Sequence, residues 1–222
     1  RPKQLHAVKR LSGLNVVIDD SDHPLIIKVA TLQPSRMQVY FIDNDDYFQF
    51  TPEKQLETVS SPEDNDERQM FFVRGVIETV KKLRWEPAVI HCIGWISALV
   101  PMYLKKMYPD DPTFTSSRIV FDLRPEKFDG TLDSRFAEKL RMTQFTDDDL
   151  KTLGSEPVDF ITLNKLAIDY ADAIVQSSPD VDPELIEYAK ASGKPFVPFN
   201  AECEEEKDML DAIVESYKDF IN

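Results

Sequence analysis

The apolar pattern of this chain changes period near residue 63, and that change limits the folds open to it. Upstream, β-branched and aromatic runs at residues 14–18, 25–32 and 37–42 are separated by Asp19-Asp20-Ser21-Asp22-His23-Pro24 and by Gln33-Pro34-Ser35. Such runs predict three strands in an antiparallel hairpin or meander. Downstream, Met70, Val73, Ile77 and Val80 recur at helical spacing, which predicts a helix over 67–85. Asp64, Asp66 and Glu67 open it, and Lys81, Lys82 and Arg84 close it, matching the helix dipole.

From there short apolar runs alternate with helical ones. Strands are expected at 88–92, Arg118–Leu123, 172–176 and 195–198. Helices are expected at 95–108, kinked at Pro101, and at 132–142, Phe160–Tyr170, Pro183–Ala191 and 203–221, with a short acidic helix near 147–153. Residues 50–62, polar and carrying two prolines, read as a mobile loop, and Glu202-Cys203-Glu204-Glu205-Glu206 as a solvated helix start. The alternation argues for an α/β fold: a mostly parallel Rossmann-like sheet flanked by helices, preceded by the antiparallel strands. With 222 residues the chain is expected to be a single domain, strand-rich over 1–48 and alternating over 63–222, without need of a disulfide or metal staple.

The glycines exclude one class of site. They stand at positions 13, 75, 94, 130, 154 and 193, too far apart for the clustered glycines of a dinucleotide fingerprint or a phosphate loop. A net charge of −14 opposes binding to nucleic acid or an anionic membrane surface. No apolar stretch approaches the ~20 residues that span a bilayer, and no signal peptide opens the chain. Two cysteines, Cys92 and Cys203, make no disulfide framework and suit a reducing, cytoplasmic setting. The chain opens on Arg1-Pro2 rather than Met, which implies residues upstream.

His6, His23 and His91 are far apart, so neither a metal nor a cofactor is expected. Cys92 beside His91 resembles a catalytic pair, but neighbours on a strand point to opposite faces. Two polar groups remain at the ends of buried elements. Asp64, Asn65 and Arg68 stand at the start of the long helix, and His91 and Trp95 follow a buried strand. Ligands bind at the carboxyl ends of strands in an open parallel sheet. Bland readings stand beside that one: Asp64 or Asn65 as a helix cap, His91 as a satisfied core histidine, Trp95 as core rather than platform.

Taken in order, Tyr40-Phe41-Ile42-Asp43, Asp64-Asn65-Asp66-Glu67-Arg68, residues 86–95 (Glu-Pro-Ala-Val-Ile-His-Cys-Ile-Gly-Trp), residues 98–105 (Ala-Leu-Val-Pro-Met-Tyr-Leu-Lys) and residues 169–179 resemble the N-terminal catalytic domain of bacterial glycogen and starch synthases. The resemblance covers roughly residues 5–198. It implies one Rossmann-like half of a GT-B glycosyltransferase, an enzyme type that moves glucose from ADP-glucose (or UDP-glucose) to an α-1,4-glucan with retention and no metal. Carried over, Asp64 matches the family's cleft aspartate, Asn65 and Arg68 its neighbours, His91 the first His of a His-x-His-Asp-Trp-His motif, and Trp95 its Trp. These five are the candidate sugar-binding residues.

The departures bear on activity. The second His of the motif is Ile93, its Asp is Gly94, its last His is Ile96, and Asp122-Leu123-Arg124-Pro125 stands where the family reads Thr-Ile-His-Asn. The opening Lys-x-Gly-Gly-Leu loop and the C-terminal domain are not among these 222 residues. Each lost polar contact costs about 2–4 kcal/mol of transition-state stabilisation. The resemblance therefore implies a glycogen/starch-synthase-like domain, catalytically incomplete on its own and binding α-glucan or a protein partner. The alternatives are a working glucosyltransferase completed by a second domain, and an unrelated regulatory α/β domain.

Overall fold

The computed structural model describes residues 6–48, 64–200 and 206–221. The loop expected at 50–62 and the acidic residues 202–205, Cys203 included, lie outside them. Three strands, β1 (His6–Ile18), β2 (Ser21–Leu32) and β3 (Met37–Asp43), form the antiparallel meander in the order β1-β2-β3. β1 starts eight residues before the apolar run that marked it, because its polar first half finds a ladder partner in the long β2, with register shifts between Leu11 and Leu14. The β1–β2 turn is tight, and Asp19 takes a positive φ of 52° there, a conformation aspartate tolerates better than most residues.

After the one-turn helix α1 (Asp45–Phe48) comes α2 (Asn65–Leu83). α2 stops short of Trp85 because Arg84 turns left-handed (φ 53°) and caps the last turn with its N–H. The helix lies on the meander, and Gly75 sets how closely. A Cβ built there would meet Ile42 Cγ2 at 2.7 Å and Leu25 Cδ1 at 3.0 Å.

The parallel sheet consists of β4 (Val89–Ile93), β5 (Arg118–Leu123), β6 (Ala173–Gln176) and β7 (Phe196–Val197), side by side in chain order. Between them run α3 (Val100–Met107), α4 (Phe136–Met142), α5 (Phe160–Tyr170) and α6 (Pro183–Ala191); α7 (Glu206–Ile221) follows the last strand. Pro101 starts α3 rather than kinking it, since a first-turn residue needs no N–H, and a separate 3₁₀ turn covers Trp95–Ser97. α4 begins at Phe136, not 132. Residues 131–132 are drawn instead into a short pairing with 158–159, and the Asp133 carboxylate accepts the Arg135 N–H at 2.7 Å. The acidic helix near 147–153 is a turn ending in a 3₁₀ segment, Lys151–Leu153.

One core cluster joins the two sheets. Val16, Ile18, Leu25 and Ile27 of the meander belong with Phe71 and Ile77 of α2, Cys92 of β4, Phe121 of β5 and Leu166 of α5. The second face of the parallel sheet is covered by α7, where Ile213 and Tyr217 meet Val89, Val120, Val175 and Val197. Both faces of the sheet are thus closed, as near-continuous apolar strands require. No helix among the described residues is long and apolar enough to cross a membrane.

Candidate functional site

The start of α2 is built around buried charge. Asp64 holds the N-cap position but makes no side-chain cap bond. Its carboxylate, one-third exposed, accepts a hydrogen bond from Arg68 Nη2 at 2.6 Å, and Arg68 Nη1 donates to Asn65 Oδ1 at 3.3 Å. The cap reading of Asp64 thus lacks its defining bond, and the side chain's partner lies one turn along the helix. Asn65 and Arg68 are buried.

The neighbouring residues of the same turn reach a different helix. Lys139 of α4, 6% exposed, donates to Asp66 Oδ2 and to Glu67 Oε1, both at 2.7 Å. Glu67 also accepts from the Tyr47 hydroxyl, which in turn meets His23 Nε2 at 3.0 Å. Burial pushes the Asp66 carboxyl up, more than its Lys139 partner pulls it down. Burial alone would lower the Lys139 ammonium, but its hydrogen bonds to Asp66 and Glu67 and their charges outweigh that and hold it above its ordinary value.

Trp95 is core. It is 5% exposed, sets its ring edge-to-face with Phe128 at 5.0 Å, and accepts through its backbone oxygen from Gln69 of α2. That bond joins Trp95 to the Asp64–Arg68 turn. Ile93, at the place of the family's second His, is 48% exposed, an apolar side chain that cannot bond a hydroxyl. Gly94 takes φ 68° and ψ 178°, a backbone state open to glycine and strained for other residues.

His91 faces the other side of the sheet. Its Nδ1 lies 2.7 Å from the Tyr217 hydroxyl of α7, while Cys92 points into the main core. Burial pushes the Cys92 thiol up to about 12, so the Cys–His pairing fails on geometry and on thiolate supply alike. Burial, then the Asp122 charge, push the Tyr217 phenol well above its ordinary value, keeping it a neutral donor. On its other nitrogen His91 stands 3.4 Å from the Asp122 carboxylate. Asp122, 1% exposed, accepts from Ser177 Oγ at 2.6 Å, and Ser177 accepts from Arg124 Nη1 at 2.9 Å.

The five expected residues thus fall into two polar groups: Asp64, Asn65, Arg68 and Trp95 around the start of α2, and His91 in a network across the strands. Asp122, Lys139, Ser177 and Tyr217 were missed as site residues, since their partners lie 55 to 126 residues away. Two of them carry a signal in hindsight: Asp122 is the one charge inside the run Ile119–Leu123, and Lys139 stands between Phe136 and Leu140 in the apolar stripe of its helix. Among the described residues no group of three His, Cys, Asp or Glu side chains is placed to hold a metal ion.

Residues 1–194 match the family of the starch synthase catalytic domain. A glycogen synthase of Chlorobium limicola is 31% identical over 192 residues, 81% of this chain and 38% of that protein. One from Chlorobium luteolum is 34% identical over 144 residues, covering 63% and 29% respectively. The catalytic domain of Starch Synthase IV from Arabidopsis thaliana, solved bound to ADP and acarbose, shares the fold with a TM-score of 0.67 at 17% identity, over 90% of this chain and 41% of that one. The chain therefore spans well under half the length of the relatives it matches.

Proposed function

The chain belongs to the starch synthase catalytic domain family, and from that premise we propose that it acts as a glycogen/starch-synthase-like domain that binds an α-glucan and does not by itself complete glucosyl transfer. Membership sets aside the reading of an unrelated α/β domain. The observation that carries the proposal is the start of α2, where the one-third exposed Asp64 carboxylate is oriented by buried Arg68 instead of being spent on capping. A carboxylate held in one direction by a buried guanidinium is suited to accept sugar hydroxyls, a positioning role.

Against autonomous transfer stand Ile93 and Gly94, where the family resemblance calls for His and Asp. The Ile93 side chain offers no hydrogen bond to a reacting sugar, and Gly94 has no side chain to offer one. Isothermal titration tests the reading. Maltoheptaose is expected to bind and ADP-glucose to give no heat; donor binding by the chain alone would overturn it. Ile93→His is expected to leave glucose incorporation at background, because one imidazole does not supply the donor half.

A second reading has its own support. Because the relatives are more than twice as long as the stretch they share with this chain, a further domain or polypeptide can complete a retaining glucosyltransferase that uses ADP-glucose. Glucose incorporation on adding such a partner, and none without it, would favour that reading.

A further inference from the structure

We propose that Arg124 anchors an oxyanion site at the carboxyl end of the parallel sheet, and that the site takes a sugar bearing a phosphate or carboxylate group. The sugar half of this rests on the carbohydrate reading above; the anion half does not.

Arg124 directly follows β5, between the ends of β4 and β6, where an open parallel sheet presents its ligand crevice. The side chain is half-buried, and its stem lies over Gly94, where an added Cβ would sit 3.8 Å from Arg124 Cβ and Cγ. The chain carries 40 acidic against 26 basic residues, and Arg68, Arg135 and Arg141 each pair with a carboxylate. Arg124 nevertheless has no carboxylate partner among the described residues, and its hydrogen bond goes to the neutral Ser177 hydroxyl. A guanidinium is a fork of N–H donors matched to two oxygens of one anion, and Ser177 uses a single arm of it.

The neighbouring acid does not fill that role. Asp122 is turned inward, one oxygen bonded by Ser177 and the other facing His91. Because the Ser177 proton is committed to Asp122, the Ser177 lone pair is fixed toward Arg124, which holds the guanidinium in one orientation before any ligand arrives. Asp122 and Arg124 are the two charged residues of the tetrapeptide that departs from the family pattern, and both converge on Ser177. The crevice at this position therefore presents a braced cation, which favours an oxyanion over a hydroxyl.

Titration calorimetry at low salt with glucose, glucose 6-phosphate, glucuronate and inorganic phosphate tests this. At least one acidic sugar is expected to bind about tenfold more tightly than glucose, as charge-assisted bonds to a guanidinium allow. R124Q should abolish that difference, and R124K, which keeps the charge and guards against a folding defect in R124Q, should lose about threefold by giving up the fork. Equal affinity for neutral and acidic sugars, or acidic-sugar affinity unchanged in R124Q, would overturn the site. Inorganic phosphate binding as tightly as glucose 6-phosphate would overturn the sugar half. Silence with maltoheptaose while an acidic sugar still binds would sink the glucan reading and leave this one standing.

Discussion

The polar network at the start of α2 and the one across the strand ends differ in how their charges are spent. At α2, Asp64 and Arg68, and Asp66, Glu67 and Lys139, neutralise each other directly, with N···O distances of 2.6–2.7 Å. Across the strands, His91, Asp122 and Ser177 form a chain of single contacts that ends on Arg124, whose fork is only partly used. Lys139 joins α4 to α2, and removing it strands the buried Asp66 charge, whereas Asp64 and Arg68 pair within one turn of α2. The network across the strands costs less to disturb and leaves the guanidinium without a carboxylate partner among the described residues. A buried cation saturated by acids, as Lys139 is, marks a brace; a partly exposed carboxylate such as Asp64 or an unused donor marks a place for something else.

The contrast can be broken most sharply at Lys139. Lys139→Met leaves Asp66 buried without its cation and is expected to cost about 3–5 kcal/mol in urea denaturation. A loss below about 1 kcal/mol would show that water already reaches the pair. The same lysine has a pH signature. Its folded-state value is raised above the ordinary 10.5, so its contribution is complete below pH 10.5 and disappears as pH rises through the raised value. Wild type should lose stability in that alkaline window, and Lys139→Met should lack that component.

Ser177→Ala should cost less, about 1–3 kcal/mol, by leaving the Asp122 carboxylate one donor short. An equal cost for this and Lys139→Met would erase the distinction between the two networks. Tyr217→Phe removes one hydrogen bond to a half-buried imidazole and should cost about 1 kcal/mol, read from the thermal midpoint. Asp64→Asn is expected to have the smallest effect on folding, under about 1 kcal/mol for a partly exposed pair, while weakening maltoheptaose binding. Unchanged binding with a large stability loss would make Asp64 a brace like Lys139.

How much of this was readable beforehand depends on range. The meander, the alternation of strands and helices, and the placement of α2, α5 and α6 follow from local periodicity, which is a property of neighbouring residues. Helix starts were less legible. Pro101 and Leu132 both sat inside apolar stripes, and what decided them was, for one, the missing N–H and, for the other, a backbone partner 26 residues away at Val158. The site residues divide the same way. Asp64, Asn65 and Arg68 lie within one turn and could be grouped from spacing, whereas nothing in spacing joins Asp122 to Ser177 or Lys139 to Asp66. Trp95, read either as platform or core, packs edge-to-face on Phe128, a contact no pattern announces.

The strictly sequential order of β4 to β7 has a consequence for how the molecule is assembled during synthesis. Each parallel strand docks beside the one made just before it, so that half of the protein can grow by accretion as it emerges, with the longest wait between β5 and β6, which α4 and α5 separate. The meander behaves differently: complete after residue 43, it has one face to bury and must wait for α2 to cover it. The interval between those two moments is when the nascent chain most needs protection from sticking to its neighbours.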